Sequence, residues 1–250
     1  MKPFTKSAAL VFVLAIAIVQ LAHADIFLKQ KRHTDSITIM GQTQPAKDVV
    51  SKIWITPQGI RSDAPEESTI MWLDEQKLIH MNHSDKTYQV HPMDMNEMMQ
   101  EAGQGQSPEE KAAMQGMMKN MMKMEVSVEA TDETQTIKDW KCRKYLLSMD
   151  TMMGRTVSEV WATEDLKVDK KLYDRLNTAM MANMPGIQKA IKDIRKEIEK
   201  IKGVQVKTVS KQEIMGKTRT TTTELLTYKE ADAPANLLDI PDGYQEKGQY

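Results

Sequence analysis

One cysteine, Cys142, stands in a chain of 250 residues, so no internal disulfide is available and the fold has to hold by core burial. Aromatic residues are scarce at 5 %, so another side chain must supply much of the apolar surface. Charge of one sign is missing too. The 34 basic residues stand against 35 acidic ones for a formal net charge of −1, with no block of one sign, which disfavours nucleic acid as a partner. Beyond residue 24 no run approaches the roughly twenty apolar residues of a membrane crossing, so the mature chain is expected not to span a membrane. Gly-x-Ser-x-Gly, His-Glu-x-x-His, a phosphate-cradling glycine loop and a dinucleotide fingerprint are all absent. The sequence therefore offers no catalytic residue and points to no cofactor.

What is present begins with an export signal. Lys2 and Lys6 precede an apolar run over 8–19, and Ala22-His23-Ala24 gives the small-x-small pattern at which signal peptidase cuts. Residues 1–24 are read as a cleaved signal peptide and 25–250 as one domain. No cysteine follows the small-residue box, so a lipid anchor is not expected and the location is periplasmic or secreted.

From residue 25 to 90 apolar and polar residues alternate in short runs, the period of half-buried antiparallel strands. Strands are predicted over 26–40, 50–56, 59–62, 69–74, 77–82 and 87–90. Pro45, Pro57, Asp63-Ala64-Pro65, Asp74-Glu75 and Asn82-His83-Ser84-Asp85 break them, residue types that turn the chain or withhold a ladder hydrogen bond. Strands resume over 125–131, 134–137, 140–149, 155–163, 204–214 and 217–228.

Methionine takes the place of the missing aromatics, with 21 in the chain. Residues 92–124 read as a Met-rich loop-helix insertion, opened by the capping sequence Ser107-Pro108-Glu109-Glu110. Met114, Met117, Met118, Met121 and Met122 recur at helical spacing and share one face. Residues 165–203 read as a helical hairpin. Leu172, Leu176, Met180 and Met184 stripe its first half, and Ile187, Ile191, Ile194, Ile198 and Ile201 its second. The fold class expected is α+β: a curved antiparallel sheet, a half-open barrel, covered by helices.

Three segments carry a resemblance: 137–145 (Ile-Lys-Asp-Trp-Lys-Cys-Arg-Lys-Tyr), 158–163 (Ser-Glu-Val-Trp-Ala-Thr) and 240–244 (Ile-Pro-Asp-Gly-Tyr). Together they resemble a domain-of-unknown-function family of secreted bacterial proteins. That family is similar in shape to the outer-membrane lipoprotein carriers, whose half-barrel closes over helices and holds acyl chains. The likeness covers about 25–90 and 126–244. Asp139 stands where such sequences often have a glycine before the aromatic-x-Cys element, which implies a different local turn.

Three functions compete. In the first, the concave sheet face binds a hydrophobic small molecule, a lipid or an acyl chain, without catalysis. The Met114–Met122 stripe would act as a flexible, polarizable cover, and Trp54, Trp72 and Trp161 as wall residues. The plain alternative is that the stripe and the tryptophans only pack a core. In the second, His91, Met93, Met95 and Met98 bind Cu(I) or Ag(I), since soft thioethers and imidazole suit these ions. In the third, the protein is a structural or interaction module with a protein partner in the cell envelope. Cys142, in a strand between Trp140 and Tyr145, is expected to be a packed small side chain rather than a nucleophile.

Overall fold

The computed structural model describes residues 25–93, 107, 125–151, 154–166 and 188–247. Fourteen strands run through them. The first eight are β1 (Ile26–Thr34), β2 (Ile37–Ile39), β3 (Gln42–Gln44), β4 (Lys47–Ile55), β5 (Gly59–Asp63), β6 (Glu67–Trp72), β7 (Lys77–Asn82) and β8 (Thr87–Pro92). After the Met-rich segment come β9 (Glu125–Ile137), β10 (Trp140–Thr151) and β11 (Gly154–Thr163). Helix α1 (Gln188–Ile198) precedes β12 (Val204–Ile214), β13 (Lys217–Glu230) and β14 (Gln245–Glu246).

Twelve of these strands form one sheet in the order β14-β8-β7-β6-β5-β4-β1-β13-β12-β11-β10-β9, while β2 and β3 form a separate ribbon. Every pairing is antiparallel except that of β14 with β8. The long strands are rich in β-branched residues, most visibly the Thr220–Thr223 run of β13, which suit a pleated, half-buried surface. Non-local closure comes from β1, which lies between β4 and β13 and so joins the two meanders.

This architecture corrects the expected fold class. The described residues are nearly all strand in an open sheet, with α1 their one helix, and not an α+β half-barrel covered by helices. β9 and β14 stand at opposite edges and do not pair, so the sheet does not close. Alternation had already shown most strands. The cover was inferred from helical stripes in 92–124 and 165–203, of which the described part is α1 with its short flanks.

Helix α1 also does something other than cover the sheet. It lies against β9, where Glu197 accepts the Val128 N–H at 2.9 Å and the Lys200 ammonium donates to the Val128 carbonyl at 3.4 Å. These side chains occupy the outward-facing backbone groups of an edge strand, which would otherwise template pairing with another chain. Ile201, just past the helix, fills a cluster with Val128, Tyr145, Val160 and Ala162.

Lys200 and then the Val128 amide hold the Glu197 carboxyl below its ordinary value of 4.5. A carboxylate lowered by folding contributes in full above its unfolded value, and that contribution is lost as pH falls through the lowered folded value. Amide exchange at Val128, measured against Val160 in the interior, should therefore accelerate as pH drops from about 6 to about 3. Constant relative protection would show that Glu197 does not hold this edge.

The opposite edge is blunted by the C-terminal tail. Leu238, Ile240 and Tyr244 pack on Ile70, Ile79 and Met81, and Gln245 then pairs in parallel with Thr87. Turn chemistry sets the registers. Met40-Gly41 and Met215-Gly216 both take positive φ, as two-residue hairpins of the I′ type require. In the β9–β10 turn Lys138 carries φ +55 itself, with Asp139 following. Its ammonium donates to the carbonyls of Leu225 and Leu226 at 2.6 and 2.9 Å and lies 5.5 Å from the Trp140 ring centroid, which anchors a conformation that side chains rarely adopt.

Candidate functional site

Because side chains alternate along a strand and registered partners share a face, the pairings assign residues to the two faces of the sheet. On one face, Ile26, Ile55, Ile60, Met71 and Leu78 stand side by side across β1, β4, β5, β6 and β7. Leu28 and Ile53 form the next rung. Ile26 is buried and the other six are half-buried.

Along β1 and β4 the same face changes character. Beyond Leu28 come Gln30, Arg32 and Thr34, and beyond Ile53 come Ser51, Val49 and Lys47. Thr223 and Thr221 of β13 register with Arg32 and Thr34, and Arg219 follows two positions on. At this polar end Arg32, Thr34, Lys47, Asp48, Gln212, Arg219 and Thr221 line a cleft of about 380 Å³, closed on one side by the β5–β6 turn at 64–66 and by Glu67.

The carboxylates around the cleft are already engaged. Asp48 pairs with His33 at 2.8 Å and Lys31 at 3.4 Å, Glu66 pairs with Lys47, and Glu67 lies 3.7 Å from His80. The His33 hydrogen bond is the main reason that the Asp48 carboxyl is lowered. Arg32 and Arg219 have no carboxylate within ion-pair distance among the described residues. Arg219 donates through Nη1 to the Gln44 amide oxygen at 2.9 Å, yet its Nε is buried with no hydrogen-bond partner among the described residues.

Trp54 and Trp72 stand on the other face, whereas Trp161 packs with Leu28 on the Cys142–Val206–Leu225 cluster. Trp54 packs on Phe27 with ring centroids 5.0 Å apart, Trp72 packs in the tail cluster, and Trp161 lies 5.9 Å from the Lys144 ammonium. The structure therefore places them in three separate neighbourhoods. Met114, Met117, Met118, Met121 and Met122 lie outside the described residues, as do Met95, Met98 and residues 1–24. His91 belongs to β8 and Met93 follows it. Among the described residues, no three His, Cys, Asp or Glu side chains gather as a metal site. Cys142 is 2 % exposed, and burial pushes its thiol above the ordinary range, which leaves it protonated and packed against Val206 and Leu225.

Sequence reasoning also missed a polar relay on the face of Trp54 and Trp72. Arg61 holds the tail through the Leu237 and Asp239 carbonyls at 2.9 and 3.0 Å and holds Asp63 through Nε at 2.8 Å. Ser68 donates to Asp63 at 2.6 Å and contacts His83 Nε2 at 2.9 Å, while His83 Nδ1 meets the Tyr244 hydroxyl at 2.5 Å. A Ser–His pair invites a catalytic reading, but the carboxylate bonds the serine rather than the histidine, and Ser68 is 1 % exposed. The relay clamps the tail to the sheet. Tyr244 belongs to the 240–244 segment, so its importance was visible in the sequence while its partners were not.

No helix among the described residues is long and apolar enough to cross a membrane. No curated protein matches the chain. Among solved structures, a domain from Vibrio parahaemolyticus assigned to outer membrane lipoprotein sorting is similar over 88 % of this chain and 91 % of its own, at 7 % identity and a TM-score of 0.31. The family model for the domain of unknown function DUF4412 matches residues 37–244, most of the chain, and the protein belongs to that family.

Proposed function

We propose that the protein is an exported, non-catalytic binder of a hydrophobic molecule with an acyl-chain-like body, held on the Ile26–Ile55–Ile60–Met71–Leu78 face of the sheet. The observation that carries this reading is the unbroken apolar row across five neighbouring strands, with Leu28 and Ile53 behind it. Five strands about 4.8 Å apart make a strip roughly 20 Å wide, within the reach of a long acyl chain. Each half-buried aliphatic side chain covered by such a guest contributes about 1 kcal/mol. Adjustable Met71 among branched isoleucines widens the range of shapes accepted. The leader-like pattern of residues 1–24 supports export.

Native mass spectrometry tests the reading on protein exported to the periplasm and purified without detergent. The expected spectrum contains an adduct of lipid mass that disappears on denaturation. A bare chain that also fails to take up added palmitate would overturn the proposal.

A further inference from the structure

The apolar row does not end at random. On β1 the side chains of one face run Ile26, Leu28, Gln30, Arg32, Thr34, and on neighbouring β4 they run Ile55, Ile53, Ser51, Val49, Lys47. Both strands therefore grade in the same direction, from aliphatic to cationic. At about 3.3 Å per residue, the six-residue step from Ile26 to Arg32 spans about 20 Å.

At this polar end lies the cleft of about 380 Å³, which Arg32 and Arg219 line from β1 and β13 together with Lys47 and the carboxylates Asp48, Glu66 and Glu67. Its acids have other neighbours, Asp48 with Lys31 and His33, Glu66 with Lys47 and Glu67 with His80, whereas these two guanidinium groups have no carboxylate partner among the described residues. The buried Nε of Arg219 has no acceptor. A buried donor without a partner is costly and is the condition that an incoming anion would relieve. Guanidinium groups present planar pairs of donors suited to carboxylate or phosphate oxygens, and Thr34, Thr221 and Gln212 add neutral polar groups around them.

We propose that this cleft binds the oxyanion head of an amphiphile whose chain lies along the Leu28–Ile53–Ile55–Ile60 face. The inference rests on the hydrophobic-ligand reading and adds to it the sign and place of the head group. The head is a carboxylate or a phosphate ester, and both satisfy the same donors.

The test is isothermal titration of the mature protein and of Arg32→Gln, Arg219→Gln and the double variant with three probes, each below its micelle concentration. The probes are palmitate, palmitoyl lysophosphatidylglycerol and uncharged monopalmitoylglycerol. The unaltered protein should bind at least one anionic probe roughly tenfold or more tightly than the neutral one, since hydrogen bonds to a charged group are the stronger ones. Whichever anion is tighter identifies the head as carboxylate or phosphate. The double variant should bind all three alike, at the affinity of the neutral probe. Because Arg32 is exposed, its single variant keeps the comparison independent of any folding defect at Arg219. Equal binding of all probes by the unaltered protein, or an anionic preference that survives in the double variant, overturns the head-group site while leaving the apolar face intact. Binding of none of the three overturns both.

Discussion

Gly203→Ala should cost about 3–5 kcal/mol of stability, a large share of what a domain of this kind possesses. Gly203 has φ +84, and a Cβ there would stand 1.9 Å from the Thr163 carbonyl oxygen, 2.4 Å from its carbon and 2.9 Å from the Glu164 nitrogen. All three atoms are backbone, and Thr163 is 1 % exposed at the end of β11, so no flexible side chain can give way. The glycine connects Ile201 to β12, so displacement there also withdraws Ile201 from Val128, Tyr145 and Val160 and loosens α1 from the β9 edge. Gly216→Ala is the matched control. It also has positive φ, +75, but nothing lies within 4 Å, so only the conformational penalty of about 1–2 kcal/mol applies. Urea unfolding of the two variants separates close approach from backbone strain. Equal losses would mean that the β11–β12 approach is not as tight as described.

Ile60→Asp should reduce binding of an apolar guest by roughly a hundredfold or more, because a carboxylate covered by an acyl chain loses its water with nothing to replace it. Ile60 sits mid-row, between Ile55 and Met71, and is half-buried rather than part of the buried core, so the sheet tolerates the change. Val50→Asp introduces the same charge on the opposite face at a position 38 % exposed, and should leave binding unaltered. Circular dichroism of both variants verifies the fold. Equal losses of binding would disconnect the function from the chosen face.

Much of the strand pattern was legible in the sequence because alternation is a local property. β7 and β12 begin and end where the apolar-polar period does, and Asn82 makes the turn its position suggests, accepting the Ser84 and Asp85 amides at 2.9 and 3.1 Å. Two readings of extent were off for identifiable reasons. The run over 26–40 is broken at Asp35-Ser36, where the chain leaves β1 for the β2–β3 ribbon. The apparent gap near 131–134 is a shift of register inside one continuous strand, β9, because a bulge inserts residues without ending the ladder.

Sheet order was not legible, since the pairing of β1 with β13 joins residues from opposite ends of the chain and no local signal marks it. The cleft was invisible for the same reason. Arg32 looked like one more charge in an alternating strand and Arg219 like a gap in a threonine run, and only the register of Thr34 with Thr221 brings them together. A helical stripe marks an apolar face without saying what it packs on, and α1, the described one, seals an edge strand through Glu197 and Lys200. Tryptophan size is legible in the sequence, and its face is not. Face, which decides what a strand residue can line, depends on register.

The most direct test of the central claim is methyl-detected NMR of isoleucine-labelled protein titrated with a spin-labelled fatty acid. Ile53, Ile55 and Ile60 should broaden first, while Ile70 and Ile79, which face the tail, should keep their intensities until excess label is present. Broadening of Ile70 and Ile79 before the others, or of all five equally, would contradict binding on the apolar face.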